Sequence, residues 1–361
     1  MYLRLNYSPE IHINKIYGNG KKKGAAVNTN NQSQQIIKAS NLREYFEKQF
    51  IDESVSFVNG GSIQTGFPSI DSKTKLYPGF YVLGAISSLG KTTFVHQMCD
   101  QLASMGERVL FFSFEQTTLE LATKSLSRIM ARRNTSLAMT ALQIRMNSTD
   151  ARVKNAIAEY NRYSNNITIV ECNFKVNIDE IEQYVCKYIS EHNVRPIVVI
   201  DYLQVIPCQN NNRMQTKDIV DMHVRRLKQL QSDNSLILIT ISSLNRQNYY
   251  SQIDFESFKE SGGIEYTADV ILGLQLQVLS EPLFDKQGNI NEKREKIRNA
   301  KAALPRKITL LCLKNRFGIS SYTCSFDYYP QFDLFNDSSA QSIESSFFNF
   351  PENSTEPLPY T

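Results

Sequence analysis

The stretch GAISSLGKTTFVHQMCDQL, residues 84–102, decides the fold. It grows out of an apolar run, FYVLGA (80–85), and leads into KTTFVHQMCDQLASMG, a helical pattern stopped by Gly106. A strand, a tight turn and a helix N-terminus in that order offer backbone N–H groups to an anion. The phosphate-loop pattern G-x-x-x-x-G-K-[ST] would put glycine at position 85, where this chain has Ala85, so the loop reads A-I-S-S-L-G-K-T. A small residue still permits the turn. Backbone groups from Ser87 through Ser88 and Gly90 to Thr92 are expected to cradle phosphate oxygens, with Thr93 next in the first helical turn. Lys91 adds a point charge for the β- and γ-phosphates of ATP, and Thr92 is the expected Mg2+ ligand.

Outward from this loop, strands and helices alternate. Strands are expected at RVLFFSF (108–114), ITIVEC (167–172), PIVVID (196–201), SLILITIS (235–242), ADVILGLQL (268–276), KITLLCL (307–313) and SYTCSFD (321–327). Between the earlier ones lie amphipathic helices, among them TTLELATKSLSRIMAR with Thr117 and Glu120 placed as a capping box, IDEIEQYVCKYISEH (178–192) and TKDIVDMHVRRLKQLQ (216–231). Short apolar strands between such helices imply an α/β fold, a largely parallel central sheet covered by helices on both faces. The last strands have no helices between them and imply antiparallel strands at one edge.

Three further features surround the loop. Asp201 ends the run PIVVID, which sets a carboxylate at the C-terminal edge of the sheet, where it can hold a Mg2+-bound water. Glu115 follows RVLFFSF and suits a base for an attacking water. In LKNRFG (313–318), Lys314 and Arg316 lie two apart, on one side of an extended segment, and suit stabilisation of γ-phosphate charge.

The flanks differ from this core. Residues 1–39 are polar and poor in pattern, and GNGKKKGAAVNTNNQSQQ (18–35) has the composition of a flexible arm. In 40–64 a helix is expected over 41–58, with Leu42, Tyr45, Phe46 and Phe50 on one stripe and Ser40 or Asn41 as its cap. The core is drawn at 65–335, and 336–361 reads as a disordered tail. The net charge of +4 is mild and does not by itself mark a nucleic-acid partner. The six cysteines are scattered without a C-x-x-C pair, and with the four histidines they show no metal-ligand spacing. No apolar run reaches membrane-spanning length and no signal peptide is evident, so a reduced, cytoplasmic protein is expected.

With these residues in place, the chain resembles the ATPase domain of DnaB-type replicative helicases, within the RecA-like superfamily of P-loop NTPases. The blocks GAISSLGKTTF, FFSFE, VVIDYLQVI, ISSLNRQ, FKESGGIEYTADVI and LKNRFG carry the likeness, over about 65–335. The resemblance implies nucleotide and Mg2+ ligation by Lys91, Thr92 and Asp201, with Glu115 as catalytic base. It implies Lys314 and Arg316 as cations offered to a neighbouring subunit's nucleotide, in a hexameric homo-oligomeric ring threaded by single-stranded DNA. The segments 207–218 and 246–263 would face the channel. By composition they are solvated loops, but the resemblance makes Arg246, Lys259, Glu260 and Gly262 DNA contacts. Two departures stand out. Ser243 sits where the family has a γ-phosphate-sensing glutamine, and the family's helical N-terminal domain has no counterpart. A primase or loader partner, or an origin in a phage or mobile element, would fit the second. The alternatives are a recombination or loading ATPase without processive unwinding, and a weakly hydrolysing ATP-binding assembly factor. EKREKIRNAKAALPRK (292–307) reads as a solvated charged helix.

Overall fold

A computed structural model describes residues 41–59, 62–173, 175–208, 215–245, 249–258, 262–285 and 289–338. Two compact units divide between Phe57 and Val58. In the first, α1 (Leu42–Lys48) is capped by the Asn41 side chain, which accepts from the N–H groups of Arg43 and Glu44. Gln49 leaves helical geometry (φ −126°, ψ −31°), so the expected single helix is two, with α2 at Phe50–Asn59. The rings of Tyr45, Phe46 and Phe50 meet one another, as the stripe required. The polar arm read at 1–39 lies outside the described residues.

The second unit begins with a short turn of helix, α3 (Pro68–Asp71), and then follows the alternation. Its order is β1 (Gly79–Ala85), α4 (Lys91–Ser104), β2 (Val109–Ser113), α5 (Thr118–Arg133), α6 (Ala141–Met146), α7 (Ala151–Tyr160) and β3 (Ile167–Glu171). Next come α8 (Ile178–His192), β4 (Ile197–Asp201), α9 (Thr216–Asn234), β5 (Ile237–Ser243), α10 (Gly262–Thr267), β6 (Val270–Leu276), α11 (Pro282–Asp285) and α12 (Ile290–Ala302). The antiparallel end is β7 (Arg306–Asn315), β8 (Thr323–Tyr329) and β9 (Leu334–Asp337). Among the described residues these strands form one nine-stranded sheet, ordered β3-β2-β4-β5-β1-β6-β7-β8-β9. From β3 to β6 all neighbours are parallel, and from β6 onward all are antiparallel.

Every residue of β1, β2 and β4 is buried, the pattern of strands covered on both faces. Two groups of helices provide the cover. The α4 helix lies against β1, β2 and β3 beside α5, while α9 lies against β1 and β5 beside α8. A third set, α5 with α6 and α7, closes a small core of its own around Leu126, Ile129, Met130, Ile144 and Val153. The expected capping box of α5 is present, with the Thr117 hydroxyl accepting from Glu120 N–H. The β9 strand runs to Asp337, two residues past the boundary drawn from sequence, and the Asp337 carboxylate accepts from the Ser69 N–H at 2.7 Å. Residues 339–361 lie outside the described set.

Candidate nucleotide site

The site is built at the C-terminal edge of the parallel strands, beside β1, where open α/β sheets bind ligands. Two apolar anchors pin the loop that leaves β1: Ile86 and Leu89 are buried, whereas Ser87 and Ser88 are exposed. The backbone turns through positive φ at Ser88 (65°), between the anchors, and again at Gly90 (85°), just after the second. Glycine is required at the second turn, because a Cβ there would stand 2.9 Å from the Tyr328 ring in a backbone region L-residues avoid. Gly90 also caps α4, so the N–H groups of Lys91, Thr92 and Thr93 precede the first intrahelical bond, Phe94 N–H to Gly90 C=O at 2.8 Å. The loop therefore has the shape expected of an anion cradle.

Its side chains are already organised. Lys91 Nζ donates to the Ala85 carbonyl at 3.1 Å, which holds the ammonium across the loop. Burial lowers its pKa, opposed by the charges of Asp201 and Glu115. The Thr92 hydroxyl donates to Asp201 Oδ2 at 2.7 Å. Asp201 ends β4, is 1% exposed, and its pKa is pushed up to about 6, chiefly by burial. The Thr92 bond opposes that rise and the Glu115 charge adds to it. A buried carboxylate that accepts from the very hydroxyl expected on a metal is a donor pair suited to a hard divalent cation.

Glu115 reaches the same place by strand register. Ser113 of β2 pairs with Asp201 of β4, and Phe114 N–H continues the ladder to Asp201 C=O at 2.9 Å. The chain then bends, fixed by Ser113 Oγ, which donates to Gln116 C=O at 2.6 Å and accepts from Gln116 N–H at 3.1 Å. Glu115 emerges exposed at that bend. The Thr93 hydroxyl points elsewhere: it donates to Asp333 Oδ1 at 3.0 Å, so only its backbone faces the loop. Ser243 ends β5 next to β1; the Gln204 amide lies across it, accepting from Ser243 N–H at 3.2 Å and donating to Ser242 Oγ at 2.8 Å.

Lys314 and Arg316 are brought together, but at the opposite edge of the sheet. Lys314 Nζ donates to Glu265 C=O at 2.7 Å, and Arg316 reaches Asp269 Oδ1 at 3.1 Å and Tyr266 C=O at 3.3 Å. Asp269 itself accepts from Phe80 N–H at 2.8 Å, near the start of β1, whereas the phosphate loop leaves its end. Burial would raise Asp269, but bonds from Lys228 and Phe80 and the charges of Lys228 and Arg316 hold it below the carboxylate range. Of the expected DNA contacts, Arg246, Lys259 and Glu260 lie outside the described residues. Gly262 begins α10, whose next N–H, at Gly263, is held by Asp221 Oδ1 at 2.9 Å.

One pair at the site went unread in the sequence. Arg306, the first residue of β7, donates to Ser88 C=O at 3.2 Å and lies 5.9 Å from the Tyr328 ring centroid on β8. The Tyr328 ring is buried and stacked on Phe335 at 4.2 Å, so it braces the Arg306 guanidinium against the loop. The signal was present as the basic end of 292–307, but only strand pairing brings it to the loop.

The fold and the loop together define a RecA-like nucleotide-binding α/β domain. More narrowly, the chain belongs to the DnaB-like helicase C-terminal domain family, whose model matches residues 62–337. It is 27% identical over 233 residues to the replicative DNA helicase DnaB of Buchnera aphidicola subsp. Baizongia pistaciae, covering 63% of this chain and 49% of that protein. To the DnaB of Helicobacter pylori strain J99 it is 29% identical over 217 residues, 59% of this chain and 43% of the relative. The chain thus spans about half the length of these relatives. Among solved structures, one isolated ATPase domain superposes with a TM-score of 0.65 at 18% identity, over 83% of this chain and 99% of that one. A DnaB-like replicative helicase studied with primase gives 0.62 at 18% identity, over 82% and 67%. Both likenesses bear on the fold. No helix among the described residues is long and apolar enough to cross a membrane.

Proposed function

We propose that this chain is the motor of an ATP-dependent DNA helicase of DnaB type, which assembles as a ring, hexameric by the family's pattern, and moves along single-stranded DNA. One observation carries the reading: the nucleotide loop and the cation pair Lys314–Arg316 sit at opposite edges of one sheet. The β1 strand, Gly79–Ala85, separates them by about 20 Å at a rise of about 3.3 Å per residue. Neither half can serve the other within a chain. A neighbour that presents its Lys314 and Arg316 to this loop completes the site, and repetition of that head-to-tail contact closes a ring.

In this site the N–H groups of the loop and Lys91 bind and orient the phosphates. Thr92 and Asp201 are the residues that would hold Mg2+, which when bound supplies charge neutralisation at the β- and γ-phosphates. Glu115, beside Asp201, takes the proton of the attacking water. Arg306, braced on the buried Tyr328 ring, holds the Ser88 turn of the loop. The cations of the neighbour stabilise charge on the departing phosphoryl group. A primase or loader partner and cytoplasmic location belong to the same reading.

Ser243 favours a second reading, an ATP-binding assembly or loading factor with little turnover, since its side chain is too short to reach a γ-phosphate from where the family has glutamine. ATP turnover with and without single-stranded DNA, followed by strand displacement on a forked duplex, separates the two. The helicase reading expects DNA-stimulated turnover and displacement, both lost in Glu115→Gln. Slow turnover indifferent to DNA would overturn it in favour of the second.

A further inference from the structure

The helix α12 carries charges that the nucleotide site does not use. Lys296 is paired with Glu281 at 2.7 Å, and Lys293 sits over Phe284. Arg294, Arg298 and Lys301 have no carboxylate partner among the described residues. Their spacing, four and then three, puts all three on one stripe, while at about 100° per residue Glu295 and Glu292 project roughly 90° and 150° away. Beneath the stripe Ile297 is buried and fixes the helix to the sheet. The three cations line a cavity of about 270 Å3 with Tyr249, Tyr250 and Ile86. Arg294 Nε donates to Tyr250 Oη at 3.3 Å and its guanidinium lies 5.8 Å from that ring centroid. Lys301 Nζ lies 5.8 Å from the Tyr249 ring. Arg298 touches neither tyrosine ring in this way.

We infer that this stripe and the two tyrosines form a further contact for the sugar–phosphate backbone of single-stranded DNA, beyond the four residues, Arg246, Lys259, Glu260 and Gly262, assigned by resemblance. The inference rests on the DNA-translocating reading above. Three cations spread over about 10 Å of helix match a line of phosphates rather than one compact anion, which would need them converging on a point. Aromatic faces beside such a line give successive bases a stacking surface. The location suits the purpose. Tyr249 and Tyr250 fall in the segment 246–263 expected to face the channel, and Ile86 is one residue before Ser87 of the phosphate loop. A strand held here touches the lip of the nucleotide site.

The rival account is a brace, in which Arg294 and Lys301 serve only to hold the two tyrosines in place. Arg298 separates the accounts, because a brace does not use it. Binding of a labelled oligothymidylate is followed by anisotropy over a salt series, with a non-hydrolysable ATP analogue present. Each phosphate contact removed should flatten the slope of log affinity against log salt by about 0.7. Arg298→Ala should show one such step, and Arg298→Ala with Lys301→Gln about 1.4, with affinity roughly tenfold weaker at moderate salt. DNA-independent ATP hydrolysis should match the parent in both. A parent-like slope in both variants overturns the contact. Loss of DNA-independent hydrolysis along with the slope also overturns it, in favour of a structural role for α12. A parent protein that hydrolyses ATP but binds no oligothymidylate refutes the DNA reading itself and this inference with it.

Discussion

His96 and His223 are sealed in the core as neutral rings, each with its pKa pushed down to about 4 by burial first, then, at His223, by the charge of Arg226. Neither ring nitrogen of His223 has a hydrogen-bond partner among the described residues. An unfolded histidine titrates near 6.5, so between about pH 6.5 and 4 the unfolded chain binds a proton that the folded chain refuses. Stability is therefore complete above that window and is lost as pH falls through it, by about 1.4 kcal/mol per pH unit per histidine. His223→Leu, close in volume and without a titrating group, should remove about one proton from the pH dependence of the unfolding free energy between pH 6.5 and 5. Urea denaturation across that range checks it, and an unchanged slope would mean His223 is charged in the fold. Single residues were also where the sequence spoke most clearly. Lys91, Thr92, Asp201 and Glu115 each stand at a strand end or helix start, and parallel register gathers such ends at one edge. Arg306 and Tyr328 could not be read that way. Arg306 lies 218 residues from its partner Ser88 and arrives through an antiparallel pairing that a linear pattern does not specify.

The hairpin of β8 and β9 acts as a clamp on α4. Gln97 donates to Phe335 C=O at 2.7 Å and accepts from Phe335 N–H at 2.8 Å, as another strand would. Between the two strands Asp333 adopts left-handed geometry (φ 49°) and accepts from Thr93, while Lys124 of α5 lies 3.4 Å from the same oxygen. Its carbonyl accepts from Arg128 at 2.6 Å, and Arg128 pairs with buried Asp100 at 2.7 Å. Three elements thus meet on one aspartate, whose partner Thr93 adjoins Thr92. Asp333→Ala loses the acceptor and the charge and strains the turn, and should cost about 2–3 kcal/mol of stability. Asp333→Asn keeps an acceptor and tolerates the turn, and should cost about 1 kcal/mol. Equal losses in urea denaturation would show that the side chain's hydrogen bond contributes nothing. Elements were legible in proportion to their periodicity. Helix α8 was read at its observed bounds, because four apolar residues keep strict helical spacing. The short helix α6 carries a capping box at Thr140 and Gln143 but does not show in the pattern, since six residues hold too few turns to show a period. The break at Gln49 has no glycine or proline to announce it.

For the whole molecule, the sheet sets a test of assembly. A monomer that used Lys314 and Arg316 on its own nucleotide would have to carry them along the full length of β1, through a core in which every residue of that strand is buried. A ring needs no such movement, because each subunit supplies a loop on one side and cations on the other. Two variants separate these cases. Lys91→Ala spoils the loop of its own subunit and leaves the cations intact; Arg316→Ala spoils only what a subunit gives its neighbour. Arg316 also pairs with Asp269, but that aspartate keeps Lys228 at 2.5 Å, so the fold should survive the change. Each variant alone should be nearly inactive, since removal of a transition-state cation costs about three to five orders of magnitude in rate. Mixed together, some interfaces join an Arg316→Ala subunit, whose loop is intact, to a Lys91→Ala neighbour, whose arginine is intact. Those interfaces are complete and should hydrolyse ATP. Subunit exchange is checked independently with two fluorescent labels, and assembly of each variant by light scattering. Return of ATPase activity on mixing, at a level that follows the proportion of mixed interfaces, supports a site shared between chains. If labels exchange and each variant assembles, yet no activity returns at any ratio, the two edges of the sheet do not build one site.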